Sequence, residues 1–252
     1  MTDSHTGLRS RRVVTTRAGG ISAPPYDSFN LAGHVGDDPA AVAANRRRLA
    51  SVIGLPEERF VWMEQIHSRN VTVVDGPVQG EVPATDALVT RATDLALVAL
   101  SADCVSILLS DDEAGVIAAV HAGRVGARIG ILPRVLDVMR DLGARPERIA
   151  ALLGPAASGA NYEVPAAMRD DVEAHLPGSA TRTARGTPGL DLRAGLRRQL
   201  LDHGVTSVAE DPRCTIEDPM LFSHRRSAPT GRFASVVWLE DTTAGGAKED
   251  PA

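Results

Sequence analysis

Lysine is almost missing from this chain: of 252 residues only Lys248 is one, so nearly every positive side chain is an arginine. With Ala and Gly abundant as well, that bias reads as GC-rich coding, and abundance alone makes no arginine an anion ligand. Cysteine is scarce too. Cys104 and Cys214 are the only two, which excludes a disulfide-stapled scaffold. No apolar run approaches the roughly 20 residues of a bilayer-spanning helix, and the opening MTDSHTGLRSRR lacks the apolar stretch of a secretory signal. Neither a Gly-x-Gly-x-x-Gly nor a Walker loop occurs, so the common nucleotide-binding folds have no support. A net charge of -5 offers no broad cationic surface for nucleic acid. These absences point to a cytoplasmic protein with neither membrane nor nucleic-acid partners, expected as a monomer or small oligomer.

What is present is an ordinary globular composition, 43% apolar and 23% charged, long enough to bury a sizeable core. The expected organisation is one catalytic domain over residues 11–240 between loose ends at 1–10 and 241–252. Short β-rich runs recur at residues 13–16, 60–66, 71–74, 95–100, 105–109, 116–120, 149–153 and 233–239. Several are apolar on both faces, as strands between two layers should be. Asp38-Pro39 opens a helix with Val42, Leu49 and Ile53 on one face and Gly54 as its stop. Asp191 caps another in which Leu192, Leu196 and Leu200 recur before Gly204. Further helices are expected over 129–142, with Pro133 near the start or at a kink, and from Pro165 to about Leu176. Residues 177–188 read as a surface loop. Hairpin-like pairs over 60–74 and 95–120 predict mixed rather than all-parallel sheets. The fold class is α/β (α+β), a layered sandwich of mixed sheets covered by helices.

Three segments set a metal-binding residue type beside an apolar strand: Gln65-Ile66-His67, Ala102-Asp103-Cys104 and His121-Ala122-Gly123. Two imidazoles and one thiolate form a three-ligand set with an open fourth position, which is how catalytic zinc is held. The same residues also suit Cys104 as a nucleophile with His67 or His121 as its base. Taken singly, such a cysteine is more often a small core residue and such a histidine a hydrogen-bonded one. Asp103, beside Cys104, is a candidate to orient an imidazole or shuttle a proton. Cys214 reads as a packed thiol. The remaining histidines are scattered, which suits a multi-copper oxidase poorly.

Taken together, the motifs resemble the bacterial purine nucleoside phosphorylase family once called multicopper polyphenol oxidases, with human laccase-domain-containing relatives. The resemblance runs from Thr16-Arg17-Ala18-Gly19-Gly20 and Asp27-Ser28-Phe29-Asn30-Leu31 through His34-Val35-Gly36 and Asn45-Arg46. It continues with the three segments above, Asp86-Ala87-Leu88, Tyr162-Glu163-Val164, Arg225-Arg226 and Thr230-Gly231-Arg232. It implies His67, Cys104 and His121 as ligands of a catalytic Zn2+, with copper as an alternative metal. It implies phosphorolysis of adenosine, inosine, guanosine and methylthioadenosine, and deamination of adenosine, on a fold grouped with cysteine-hydrolase-like proteins. Arg17, Ser28, Asn30, Arg46 and Arg124 are the candidates for holding nucleoside and phosphate. The family's usual His-Ala-Gly-Trp-Arg-Gly is here His121-Ala122-Gly123-Arg124-Val125-Gly126, so an arginine stands in the tryptophan's place. Copper-dependent phenol oxidation, or a metal-binding protein with a partner role, are the competing expectations.

Overall fold

Runs such as Val105–Asp111 and Val116–Ala122 are buried along their whole length, and a strand of that kind needs a layer on each side. The computed structural model, which describes residues 7–243, supplies both layers. Its strands are β1 (Leu8–Val14), β2 (Phe60–Met63), β3 (Val71–Val73), β4 (Glu81–Val82), β5 (Ala87–Thr90), β6 (Ala96–Ser101) and β7 (Val105–Asp111). They continue as β8 (Val116–Ala122), β9 (Ala150–Leu153), β10 (Ala180–Arg182), β11 (Pro188–Leu190), β12 (Ser207–Glu210) and β13 (Phe233–Asp241). The α-helices are α1 (Pro39–Ile53), α2 (Arg124–Arg128), α3 (Ile131–Asp141), α4 (Ala166–His175) and α5 (Leu192–Asp202).

One sheet has five strands in the order β1-β13-β6-β2-β4, and the other six in the order β12-β9-β7-β8-β5-β3. Both are mixed. The larger is antiparallel through its middle and parallel at its two edge pairs. Period-two alternation decides what each face touches. On β6, Ala96, Val98 and Leu100 pack with Leu49 and Ala50 of α1. Leu97 and Ala99 face the other way, onto Leu108, Ile117 and Ala119 of the second sheet. On β8, Ala118 and Val120 turn outward under Ile131 and Val135 of α3 and Leu196 of α5. The result is a four-layer helix–sheet–sheet–helix sandwich. Burying each of these large apolar side chains is worth about 1.5–3 kcal/mol.

Helix punctuation follows the sequence. Asp38 accepts a hydrogen bond from Ala40 N, and Gly54 closes α1 in the left-handed region at φ 83°. Asp191 caps α5 through Ala194 N. Gly130 at φ 86° separates α2 from α3, so the segment expected as one helix over 129–142 begins at Ile131, with Pro133 in its first turn.

Several expectations need correction. Residues 8–10, expected to be loose, form the start of β1, and Leu8 pairs with Asp241 at the far end of β13. Their polarity hid the strand. Arg11 reaches Glu240, and Arg12 donates to Ser110 Oγ and Ala150 O on the facing sheet. The rest of the expected loose ends, 1–6 and 244–252, lies outside the described residues. The stretch 177–188 is not a plain loop, because β10 and β11 pair there as an antiparallel hairpin. Residues 60–74 form no hairpin either. β2 belongs to the smaller sheet and β3 to the larger, and β6 and β7 are likewise in different sheets. Only β7–β8 is a hairpin within 95–120. At the two crossings between sheets, His67 and Asp103 adopt positive φ values of 61° and 101°. Those crossings build the site.

Candidate metal centre and its cavity

β2 stops at Met63, yet its pairing with β6 is prolonged by a side chain: Gln65 donates from Nε2 to Leu100 O and accepts from Leu100 N at Oε1. That clamp delivers the chain to His67, whose left-handed backbone turns it towards the second sheet. Asp103 turns the end of β6 into β7 and sets Cys104 at the head of that strand. His121 lies on β8, opposite Ser106 in the β7–β8 ladder. The three side chains converge. Their ligand atoms all lie within 4.8 Å of one another, with Cys104 Sγ 3.9 Å from His67 Nε2. The two imidazoles meet edge to face, with centroids 4.8 Å apart. Gly123 makes room for them, since a Cβ there would lie 2.7 Å from His67 Cδ2 and 3.0 Å from Cys104 Sγ.

Beneath them lies Asp86, fully buried. Its carboxylate accepts from His67 N, Ser68 N, Ser68 Oγ and His121 Nδ1 at 2.7–2.9 Å. Burial would raise its pKa, but the hydrogen bonds from His121 and Ser68 outweigh that and hold it below the usual carboxylate range. One carboxylate therefore fixes the His67 turn and ties up Nδ1 of His121, leaving Nε2 for the cluster. Burial also works against the Cys104 thiolate. The His121 charge and hydrogen bonds from both imidazoles reverse the balance, bringing the thiol down to about 6. His121 is pushed up to about 9, because Cys104 and Asp86 outweigh its own burial. The donor set, a ready thiolate and two imidazoles with one oriented by a carboxylate, is of the kind that holds Zn2+ or copper.

A cavity of about 320 Å³ opens above the three side chains, within the size range of small-molecule sites. Its lining includes apolar Leu100, Tyr162 and Leu192 together with Arg124, Arg225 and Arg232.

With this geometry in place, the similarity to known proteins becomes specific. Residues 11–240 match the family described as multi-copper polyphenol oxidoreductase laccase. The chain belongs to that family. A purine nucleoside phosphorylase of Mycobacterium tuberculosis is 64% identical over 92% of this chain and 93% of its own length. One of Corynebacterium glutamicum is also 64% identical, over 91% and 94%. The crystal structure of the hypothetical protein YfiH from Bacillus licheniformis superposes with a TM-score of 0.86 at 29% identity, covering 92% of this chain and 93% of that one.

In this member of the multi-copper polyphenol oxidoreductase laccase family, the residues expected at the site divide sharply. His67, Cys104 and His121 come together, and Arg124 lines their cavity. Arg17, Ser28, Asn30 and Arg46 do not line it. Arg17 pairs with Asp27 and lies over the Phe222 ring. Ser28 bridges Gly20 N and Arg17 O. Arg46 pairs with Glu81, donates to Leu31 O and covers Trp62. Asn30 is buried and shapes the chain around it through Ala32, Asp37 and Arg232 N. Asp103 orients no imidazole: its two oxygens accept from Thr215 Oγ1 and Arg225 N, which pins a neighbouring segment to the Cys104 turn. Cys214 is buried, with Ser158 N and Asn161 Nδ2 against its sulfur. Sequence reasoning gave no role to Asp86, Arg225 or Arg232. All three stood inside motifs, but nothing in the sequence told which of many arginines and carboxylates would point inward.

Proposed function

We propose that the chain is a zinc-dependent purine nucleoside phosphorylase that also deaminates adenosine, acting on adenosine, inosine, guanosine and methylthioadenosine. One observation carries this reading: a His67–Cys104–His121 donor set, braced by buried Asp86, beside a cavity lined by both apolar side chains and arginines. Phosphorolysis needs both kinds of lining. The purine is flat and apolar on its faces, which suits Tyr162, Leu100 and Leu192. Phosphate is tetrahedral, and a pair of its oxygens matches the planar fork of a guanidinium, with Arg124 as the first candidate. In that reaction the bond from ribose C1′ to the base nitrogen breaks, a bond from C1′ to a phosphate oxygen forms, and the base leaves with a proton. Deamination exchanges the 6-amino group of adenosine for a water oxygen and releases ammonia. A zinc ion held by His67, Cys104 and His121 supplies a Lewis acid that polarises a substrate heteroatom and acidifies water. The protein's own part is to keep Cys104 ionised, to hold His121 by its Nδ1, and to fix the His67 turn through Asp86. The phosphorylase names of relatives 64% identical support the same reading.

Copper-dependent phenol oxidation would use the same three ligands. Among the described residues they are the one group of three or more such side chains placed to hold a metal, whereas multi-copper chemistry calls for several sites. The deciding experiment is chromatographic analysis of adenosine incubated with zinc-loaded protein, with and without phosphate, beside Cys104→Ala. Adenine that requires both phosphate and Cys104, together with inosine formed in either condition, is the expected result. No adenine and no inosine from the metal-loaded wild type would overturn the assignment, and phenol oxidation by the copper-loaded form would replace it.

A further inference from the structure

Three arginines wall the cavity: Arg124 at the start of α2, Arg225 in the segment before β13, and Arg232 immediately ahead of that strand. Among the described residues none of the three is in an ion pair, although Arg17, Arg46, Arg128 and Arg148 all are. The carboxylates nearby are already engaged. Asp103 is taken by Thr215 and by the backbone of Arg225, and Asp171, which feels the charge of Arg124, has both oxygens on Arg128.

What holds the three heads is slight. Arg225 rests its guanidinium 5.0 Å from the Tyr162 ring centroid and donates once, at 3.3 Å, to Glu163 O. Arg232 donates from one terminal nitrogen to Thr230 O and Gly231 O. A guanidinium has five N–H donors, so most of this donor capacity faces no protein acceptor. The backbone of Arg232, by contrast, is fixed: its N–H is bound by buried Asn30, and a Cβ at Gly231 would strike the Phe222 ring at 2.7 Å. Forked cations without an ion-pair partner among the described residues, next to a small-molecule cavity, are the arrangement for a bidentate oxyanion.

We propose that Arg124, Arg225 and Arg232 together form an oxyanion subsite beside the His67–Cys104–His121 group, and that it takes the phosphate co-substrate. That the anion is phosphate rests on the phosphorylase reading. The three-arginine set replaces the clamp expected from Arg17 and Arg46, whose charges are spent on Asp27 and Glu81. Because Arg124 occupies the first turn after Gly123 and the other two lie ahead of β13, the subsite spans both sheets' ends of the cavity.

The test is calorimetric titration of inorganic phosphate into the zinc-loaded protein without nucleoside, for wild type, Arg225→Gln and Arg232→Gln. Arg11→Gln, a surface substitution, is the control. Each cavity variant is expected to weaken phosphate binding, and to raise KM for phosphate, by about ten-fold or more. KM for adenosine should move less than KM for phosphate, and deamination, which consumes no phosphate, should lose less than phosphorolysis. Arg225→Lys and Arg232→Lys restore the charge without the fork and should recover part of the affinity. Unchanged phosphate affinity in both Gln variants overturns the subsite, as does loss of deamination in step with loss of phosphate binding. Phosphate affinity lost in the variants, with no nucleoside turned over by wild type, keeps the subsite and overturns the phosphorylase reading.

Discussion

The two ends of the sandwich are built from the same strands and treat charge in opposite ways. At the end where β7 finishes and β1 starts, three arginines meet acceptors. Arg148 binds buried Asp111 and exposed Glu113, Arg11 binds Glu240, and Arg12 reaches Ser110 and Ala150 O. At the end where β7 begins and β13 starts, Arg124, Arg225 and Arg232 line a cavity with no ion-pair partner among the described residues. The buried carboxylate there, Asp86, is spent on an imidazole and on the chain turn that carries another. Paired charge at one end closes the sandwich, and unpaired charge at the other leaves it able to bind. The lesson is that an arginine's partner list says more about its role than its place in a motif.

The sharpest way to break that contrast is Asp86→Asn. The amide keeps the shape but cannot accept from all the groups Asp86 now serves, and the His121 tautomer is no longer imposed. Loss of such a brace should weaken metal affinity by about 10–100-fold, measured by competition with a chromophoric chelator. Gly123→Ala should come next. Its methyl would enter the space of the His67 ring and of Cys104 Sγ, so metal affinity should fall by several-fold to about ten-fold while thermal stability changes little. If Gly123→Ala bound metal as wild type does, the close packing of the three ligands would not be the feature that shapes the site.

The thiolate–imidazolium pair gives a pH signature with a definite sign. In the metal-free protein Cys104 titrates at about 6 and His121 at about 9. A metal ion needs thiolate and neutral imidazole. Between about pH 6 and 9 the thiolate is already formed, so of this pair only His121 should give up a proton on binding. Below about 6 Cys104 should give up its proton as well, and above about 9 neither of the pair should contribute. Calorimetry of Zn2+ binding in buffers of different ionisation enthalpy counts these protons. Iodoacetamide labelling of metal-free Cys104 should rise with a midpoint near pH 6.

Much of this molecule was legible beforehand, for reasons tied to particular residues. Asp38, Gly54 and Asp191 punctuate helices by local hydrogen bonding and φ preference, which sequence encodes directly. The apolar runs at β6, β7 and β8 declare two-sided burial. The three metal ligands could be picked out because each ends or begins such a run. What could not be read was the assignment of strands to sheets. β2 and β3, or β6 and β7, are neighbours in sequence but sit in different sheets, and the switch depends on the unusual backbone of His67 and Asp103. The strand character of residues 8–12 was masked because their partners, Glu240 and Ser110, lie far away in the sequence. Arg17 and Arg46 looked like clamps because their carboxylates, Asp27 and Glu81, become partners only after folding.

Substitutions at the paired end sharpen the comparison from the other side. Arg148→Ala strips buried Asp111 of its cation, although Arg145 N and Ala114 N still donate to it. Stability to urea should fall by roughly 1–3 kcal/mol, with metal affinity unchanged. Arg11→Gln should do least of all. Its partner Glu240 is half exposed, so water and salt already screen the pair, and such contacts are worth about 0.2–1 kcal/mol. The β1–β13 ladder from Leu8 to Val14 does not depend on it, because that register is held by backbone hydrogen bonds over the whole strand. Denaturant midpoints at low and high salt make the comparison: the small wild-type advantage should shrink as salt rises. A loss above about 2 kcal/mol, or any change in phosphate or metal binding, would mean that the two ends are coupled through β13, and that the closed end helps to hold Arg232 in place.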